Sequence, residues 1–259
     1  MVPCRNTGRP GQLLSRARRD GGSLIRTAAV TVVALALLMG AGLDAHAQGC
    51  RVPEVYLKMP GDLSRTVRLA DRGTAVRIMV VGPRIGGPSF SEKKRNRLLQ
   101  ALEKKLPGMD FDLVDEGRGA VPAAKGFEAM REEFATIRPD LVLWQVGTPD
   151  ALNHADPEAL GRTLVQAAEW LRAQSIDLIL IDPPFVPNVV HEPLYARIVG
   201  KIGEVSAQSN INLLRRYAAT QHLDNERRKK PASDAVDAPP QQSCLPDLVA
   251  EAIYRAVMR

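Results

Sequence analysis

From Val76 onward, short apolar runs alternate with stretches of helical periodicity, and this alternation constrains the fold more than any other feature of the sequence. Val76 to Val81 is an apolar run closed by Gly82, and Phe111 to Val114 is a second. Leu141 to Val146 is a third, closed by Gly147. Ile176 to Ile181 is a fourth, closed by Asp182-Pro183-Pro184, and Ile211 to Leu214 is a short fifth. Runs of this length bounded by turn residues read as buried strands. Ser89 to Leu106 reads as a helix: Ser89 and Glu92 have capping-box spacing, Leu98, Leu102 and Leu106 share a face, and Pro107-Gly108 stops it. Phe127, Met130, Phe134 and Ile137 line one face of another. Asp156-Pro157-Glu158 supplies an N-cap with proline at the first helical position, ahead of Leu160, Leu164, Ala168 and Leu171. Leu194, Ile198, Ile202 and Val205 mark a further helix, and Val249, Ile253 and Val257 the closing one.

Strands separated by whole helices cannot form hairpins. They require parallel pairing with right-handed crossovers, so the expected fold is a three-layer αβα sandwich around a five-stranded parallel sheet. Ligands in such sheets sit beyond the C-terminal strand ends. The segments that matter are therefore those after Val81, Val114, Val146 and Ile181.

The flanks read differently. Arg16, Arg18, Arg19 and Arg26, the uncharged run Ala28 to Met39 and the small-x-small triplet Ala45-His46-Ala47 have the pattern of a cleaved export signal over residues 1–47. The apolar run extends at most to Leu43, shorter than the roughly 20 residues a bilayer span needs, so no stable span is expected after cleavage. Asp20-Gly21-Gly22 after Arg18-Arg19 departs from a twin-arginine signal, and Ala47-Gln48-Gly49 before Cys50 is a poor lipobox. The expected location is periplasmic or secreted. Residues 48–75 form an N-terminal extension, 76–259 the main domain, and 223–243, rich in charge and proline, a mobile loop within it. The formal charge of +6 belongs mostly to the leader: the 212 residues after Ala47 hold 29 basic and 27 acidic groups. That balance gives no argument for nucleic acid as a partner. Cleavage would leave Cys50 and Cys244, which are either a disulfide spanning nearly the whole domain or two separate thiols. No C-x-x-C or H-x-x-x-H cluster suggests a metal, and no cofactor is expected.

Four segments carry a resemblance: Gly82-Pro83-Arg84-Ile85-Gly86-Gly87, Asp115-Glu116-Gly117-Arg118-Gly119-Ala120, Trp144-Gln145-Val146-Gly147-Thr148-Pro149-Asp150, and Cys244-Leu245-Pro246-Asp247. Their order and spacing resemble the SGNH (GDSL-type) hydrolases over roughly Val76 to Val257. Arg138 to Thr148 is the most specific part, and exported bacterial members with a W-Q-x-G-T-N block are the nearest pattern. The resemblance implies a flavodoxin-like sandwich and ester hydrolysis. It implies a serine after the first strand, a glycine amide and an asparagine as oxyanion donors, and a C-terminal histidine held by an aspartate three residues before it. Here the matching positions are Arg84 for the serine, Ala120 for the glycine, Pro149 for the asparagine, Cys244 for the histidine and Gln241 for the aspartate. Arginine is always protonated and cannot act as a nucleophile.

The residues therefore suggest an exported protein of esterase ancestry, catalytically degenerate and binding a polar small molecule, glycan or partner as a monomer. The candidate pocket positions are Arg84, Ala120, Thr148, Pro149, Asp150 and Cys244. Arg84, Glu116, Arg118 and Asp150 are expected at one rim. They form either a pocket for an anionic group or a mutually paired, solvated cluster. The alternative is an active esterase, lipase or deacetylase with relocated catalytic groups, drawing on Ser89, Ser91 or Thr148 with His154, His191 or His222. Their simpler readings are a cap for Ser89, a turn for Thr148 and loops for His154 and His191. A nucleotide-binding reading is weaker, because Gly82-x-x-x-Gly86-Gly87 is not G-x-G-x-x-G.

Overall fold

The computed structural model describes residues 50–85, 96–115, 117, 119–187, 193–229 and 241–259. Five strands form one sheet: β1 (Val76–Val81), β2 (Phe111–Asp115), β3 (Leu141–Gln145), β4 (Asp177–Ile181) and β5 (Asn212–Leu214), in the order β2-β1-β3-β4-β5. Every neighbouring pair is parallel, as the helical connections require. The helices are α1 (Ser64–Asp71), α2 (Arg97–Lys105), α3 (Ala123–Ile137), α4 (Thr148–Leu152), α5 (Pro157–Ala173), α6 (Pro193–Gln208), α7 (Arg216–Lys229) and α8 (Leu245–Val257).

Strand side chains alternate between two apolar clusters, which is why the strands read as continuous apolar runs. Ile78, Val80, Leu141, Leu143, Ile179, Ile181 and Leu214 face one cluster, shared with α1, α2 and α8. Met79, Val81, Val142, Trp144, Leu178, Leu180 and Leu213 face the other, shared with α3, α5 and α6. Met130 is the fully buried anchor of α3, while Phe127 and Phe134 pack edge-on against Trp170 of α5. At the N-terminal strand ends, Asp177 accepts hydrogen bonds from the Arg65 and Thr66 amides and the Thr66 hydroxyl. Asp140 accepts from the Arg65 guanidinium and the Arg77 amide. These contacts hold α1 of the N-terminal extension against the sheet.

Two sequence expectations change. The helix expected from Ser89 is described only from Arg97, where Asn96 has extended ψ and its side chain accepts the Leu98 N–H at 2.7 Å. Asn96 is thus the N-cap, and the capping-box pair Ser89 and Glu92 lies outside the described residues. Residues 223–229, expected to be part of a mobile loop, instead continue α7. Their charges are absorbed locally, since buried Asp224 pairs with Arg227 and Arg228 one turn on. Residues 230–240 lie outside the description, and Gln241–Cys244 form a 3-10 turn leading into α8.

Cys50 and Cys244 are joined as a disulfide. Both are buried, so the bond ties the start of the described chain to the turn before α8.

Candidate functional site

A cavity of about 710 Å³ lies over the C-terminal ends of β1, β3 and β4, where a parallel sheet places its ligands. Arg84, Ala120, Thr148 and Pro149 all line it, so four positions singled out from sequence converge there. The convergence has a steric basis. Gly117 follows β2 with φ of 77°, and a Cβ added there would lie 2.5 Å from the Gly82 carbonyl oxygen. Only glycine allows the turns after β1 and β2 to approach so closely. Across this contact, Arg84 Nε donates to the Gly117 carbonyl at 3.1 Å.

The remaining expected positions behave differently. Asp150 is not a rim charge. It is buried, accepting the Gly147 N–H at 3.2 Å and the Ala123 N–H at 3.0 Å, so its carboxylate caps the start of α3 and holds the turn after β3. Glu116 and Arg118 lie outside the described residues. Cys244 points its sulfur into the disulfide, and its neighbours Ser243 and Leu245 line the cavity instead. Among the described residues, no histidine lines the cavity. His154 sits exposed at φ of 53° after α4, and His222 packs its ring 6.1 Å from that of Tyr56. Ser89, Ser91 and His191 are outside the described residues. Among those described, no cluster of three or more His, Cys, Asp or Glu side chains is placed to hold a metal ion.

The polar floor of the cavity is built from residues outside the candidate pocket positions. Gln145, the last residue of β3, donates from Nε2 to the Pro83 carbonyl and accepts at Oε1 from Arg216 Nη1 at 3.2 Å. Arg216 begins α7, immediately after β5. Its Nε is buried and has no hydrogen-bond acceptor. Burial draws the guanidinium's pKa below its usual value, opposed by the charge of Asp182, yet arginine remains protonated. Asp182, which ends β4, is 5% exposed and accepts the Tyr217 N–H at 2.9 Å. Burial pushes its pKa up to about 7, against the stabilising Tyr217 and Arg216 amides and the Arg216 and Arg215 charges. The wall beyond it is clamped from two sides. The Tyr195 hydroxyl donates to the Pro184 carbonyl at 2.5 Å, and Thr220 Oγ1 accepts the Phe185 N–H at 2.8 Å. Burial raises the Tyr195 phenol to about 12, a rise the Thr148 hydroxyl opposes. Tyr195 is therefore neutral at any physiological pH.

A signal for Arg216 was present in the sequence. Arg215-Arg216 follows the fifth apolar run, whose end lies outside the four segments singled out above.

A five-stranded parallel αβα sandwich with one ligand-sized cavity at its C-terminal strand ends defines the chain as a flavodoxin-like α/β protein with the architecture of SGNH hydrolases. More narrowly, it belongs to the non-GDSL lipase-like family, whose model matches residues 49–259. It is 25% identical over 151 residues to the esterase TesA of Pseudomonas aeruginosa, covering 57% of this chain and 74% of that protein. The fold is shared with the psychrotrophic esterase EstA from Pseudoalteromonas sp., with a TM-score of 0.52 at 15% identity over 71% of this chain and 99% of EstA. A variant of Axe2, an acetyl-xylooligosaccharide esterase from Geobacillus Stearmophilus, gives a TM-score of 0.51 at 15% identity over 71% of this chain and 95% of that one. Among the described residues, no helix is long and apolar enough to cross a membrane.

Proposed function

We propose that this chain is an exported SGNH-type protein that has lost ester hydrolysis and uses the cavity to bind a polar small molecule or glycan, as a monomer. The observation that carries the reading is the chemistry of the cavity wall. Arg84 stands where the resemblance places the nucleophilic serine, and the described lining offers no histidine to act as a base. An acyl-enzyme route needs a nucleophile and a base within hydrogen-bond reach of each other. Thr148 Oγ is a poor substitute, because its hydroxyl faces the Tyr195 phenol. Pro149 at the asparagine position has no side-chain donor, which leaves only backbone amides such as that of Ala120 for an oxyanion. Export is supported by the signal pattern in residues 1–47 and by the Cys50–Cys244 disulfide, a bond suited to an oxidising compartment.

The test is hydrolysis of p-nitrophenyl acetate and butyrate by the oxidised protein beside its Arg84→Ala variant. Both are expected at the buffer rate. Turnover well above background that survives repurification and disappears on one Ser or His substitution overturns the proposal.

A further inference from the structure

The cavity floor has an outer support in residues 50–63. β5 is three residues long and stands at the edge of the sheet, beside β4. Residues 50–63 touch it at both ends. At its start, the Gly61 N–H donates to Asn212 Oδ1 at 2.8 Å. Just past its end, the Tyr56 carbonyl accepts the Arg215 N–H at 3.3 Å. The Tyr56 ring also packs on His222, further along α7. Leu57 and Met59 are buried in the same apolar cluster as Leu214 of β5 and Ala219 of α7. The two residues after Arg215 belong to the floor. Arg216 donates to Gln145, and the Tyr217 N–H donates to Asp182. So short a strand has few ladder bonds of its own, and the first turn of α7 leans on this brace.

The brace is fastened unevenly. Beyond Met59 it is tied by Arg259, whose Nη2 donates to the Met59 carbonyl at 2.7 Å, and by the Gly61 contact. Before Met59, the Glu54–Arg255 ion pair is largely solvated and holds weakly. The Cys50–Cys244 bond is the strong fastening there, and only residues 51–53 separate it from the 3-10 turn Glu54–Tyr56. We infer that this disulfide is a redox latch on the cavity floor: closed, it holds Tyr56 against the start of α7, and opened by an external dithiol it lets that turn loosen. The inference goes beyond the binding reading and stands whether or not the cavity hydrolyses esters. Cys50 lines a cavity of about 330 Å³, whereas Cys244 is 1% exposed, so Cys50 Sγ is the atom a thiolate reaches. Attack there forms a mixed disulfide and expels Cys244 as a thiolate, which takes a proton. The second thiol of the reductant then closes onto the first and releases Cys50. The protein gains two electrons and two protons, and the dithiol becomes a disulfide.

NMR relaxation of the backbone amides, measured on the oxidised protein and after dithiothreitol, tests the latch. It reads motion within the folded state and is therefore separate from any change in unfolding stability. Reduction should lower the order parameters of Arg215, Arg216 and Tyr217 from about 0.85 toward about 0.6 or bring on exchange broadening there. Gly61, beyond the Met59 tie, and Val142, in the middle of the sheet, should stay rigid. Cys50→Ser should show the loosened floor with or without dithiothreitol. Rigid amides at Arg215 to Tyr217 after reduction, a change confined to residues 51–57, or an equal change at Val142 each overturns the latch. Should the reduced protein unfold, Tyr56→Ala in the oxidised protein carries the test. It removes the ring from His222 with the disulfide closed, and an unchanged Tyr217 amide overturns the proposal. Ester turnover in the assay above bears on the non-hydrolytic reading alone.

Discussion

At the scale of single residues, Asp182 shows how one position can serve the fold and the site at opposing cost. Its carboxyl holds the first amides of α7 and faces Arg216, yet burial raises its pKa to about 7. In the unfolded chain it ionises near 4, so between about pH 4 and about pH 7 only the native state retains the proton. The stabilisation is complete below that window and is lost as pH rises through it, a change on the order of 4 kcal/mol. Asp182→Asn keeps an acceptor for the Tyr217 N–H and cannot ionise. Urea unfolding at about pH 5 and about pH 8 should show the unaltered protein losing stability relative to the variant as pH rises. A constant difference would mean that Asp182 is ionised throughout. Asp150 is the contrasting case. It reads in sequence as a site charge because it follows the third motif, but its oxygens are taken up by two backbone amides, and it builds the turn instead of meeting a ligand.

At the scale of elements, periodicity located strands and helices well, and ends less well. The inner strands β1, β3 and β4 fall within their apolar runs because both faces of each are buried, whereas the edge strand β2 exposes Asp112 and runs one residue past its apolar run to Asp115. The start of α2 was displaced because Ser89 and Asn96 are both good caps, and local chemistry does not say which one sits at the end of a packed helix. Leu98 and Leu102 are fully buried, so the packing face itself begins just after Asn96. Asn96→Ala leaves the Leu98 N–H without that acceptor and should lower stability by about 1–2 kcal/mol. A shifted urea midpoint with an unchanged slope would report this, whereas an unchanged midpoint would place the functional cap elsewhere. The cavity wall also belongs to this scale. The prolines after β4 set its shape, and Tyr195 and Thr220, from α6 and α7, fix it in place.

For the whole molecule, the Cys50–Cys244 bond closes a loop across 194 positions. In the chain-entropy description such a loop gives an upper figure of about 5 kcal/mol, and measured bridges more often give 2–4. Cys50→Ser should therefore lower unfolding stability by about 2–5 kcal/mol in oxidising buffer, and a reductant should lower the unaltered protein to match. Stability insensitive to reductant would mean that the two cysteines contribute as buried thiols only.

The sequence by itself determined the layer architecture, since parallel pairing follows from helices between every strand. It also pointed to the C-terminal strand ends where the cavity lies, and by resemblance it set Arg84, Pro149 and Cys244 against the family's serine, asparagine and histidine positions. Arg84, Ala120, Thr148 and Pro149 were legible because each follows a strong strand at a glycine-marked turn. Only the tertiary structure decided that Asp150 is a cap, that Cys244 is bonded to Cys50, and that Gln145 and Arg216 form the cavity floor. The physical reason is range. Strand and helix periodicity is local and survives in one dimension, whereas the partner of a buried charge lies across the sheet. Arg216 and Gln145 are 71 residues apart in the chain and meet only because β3, β4 and β5 are adjacent in the sheet.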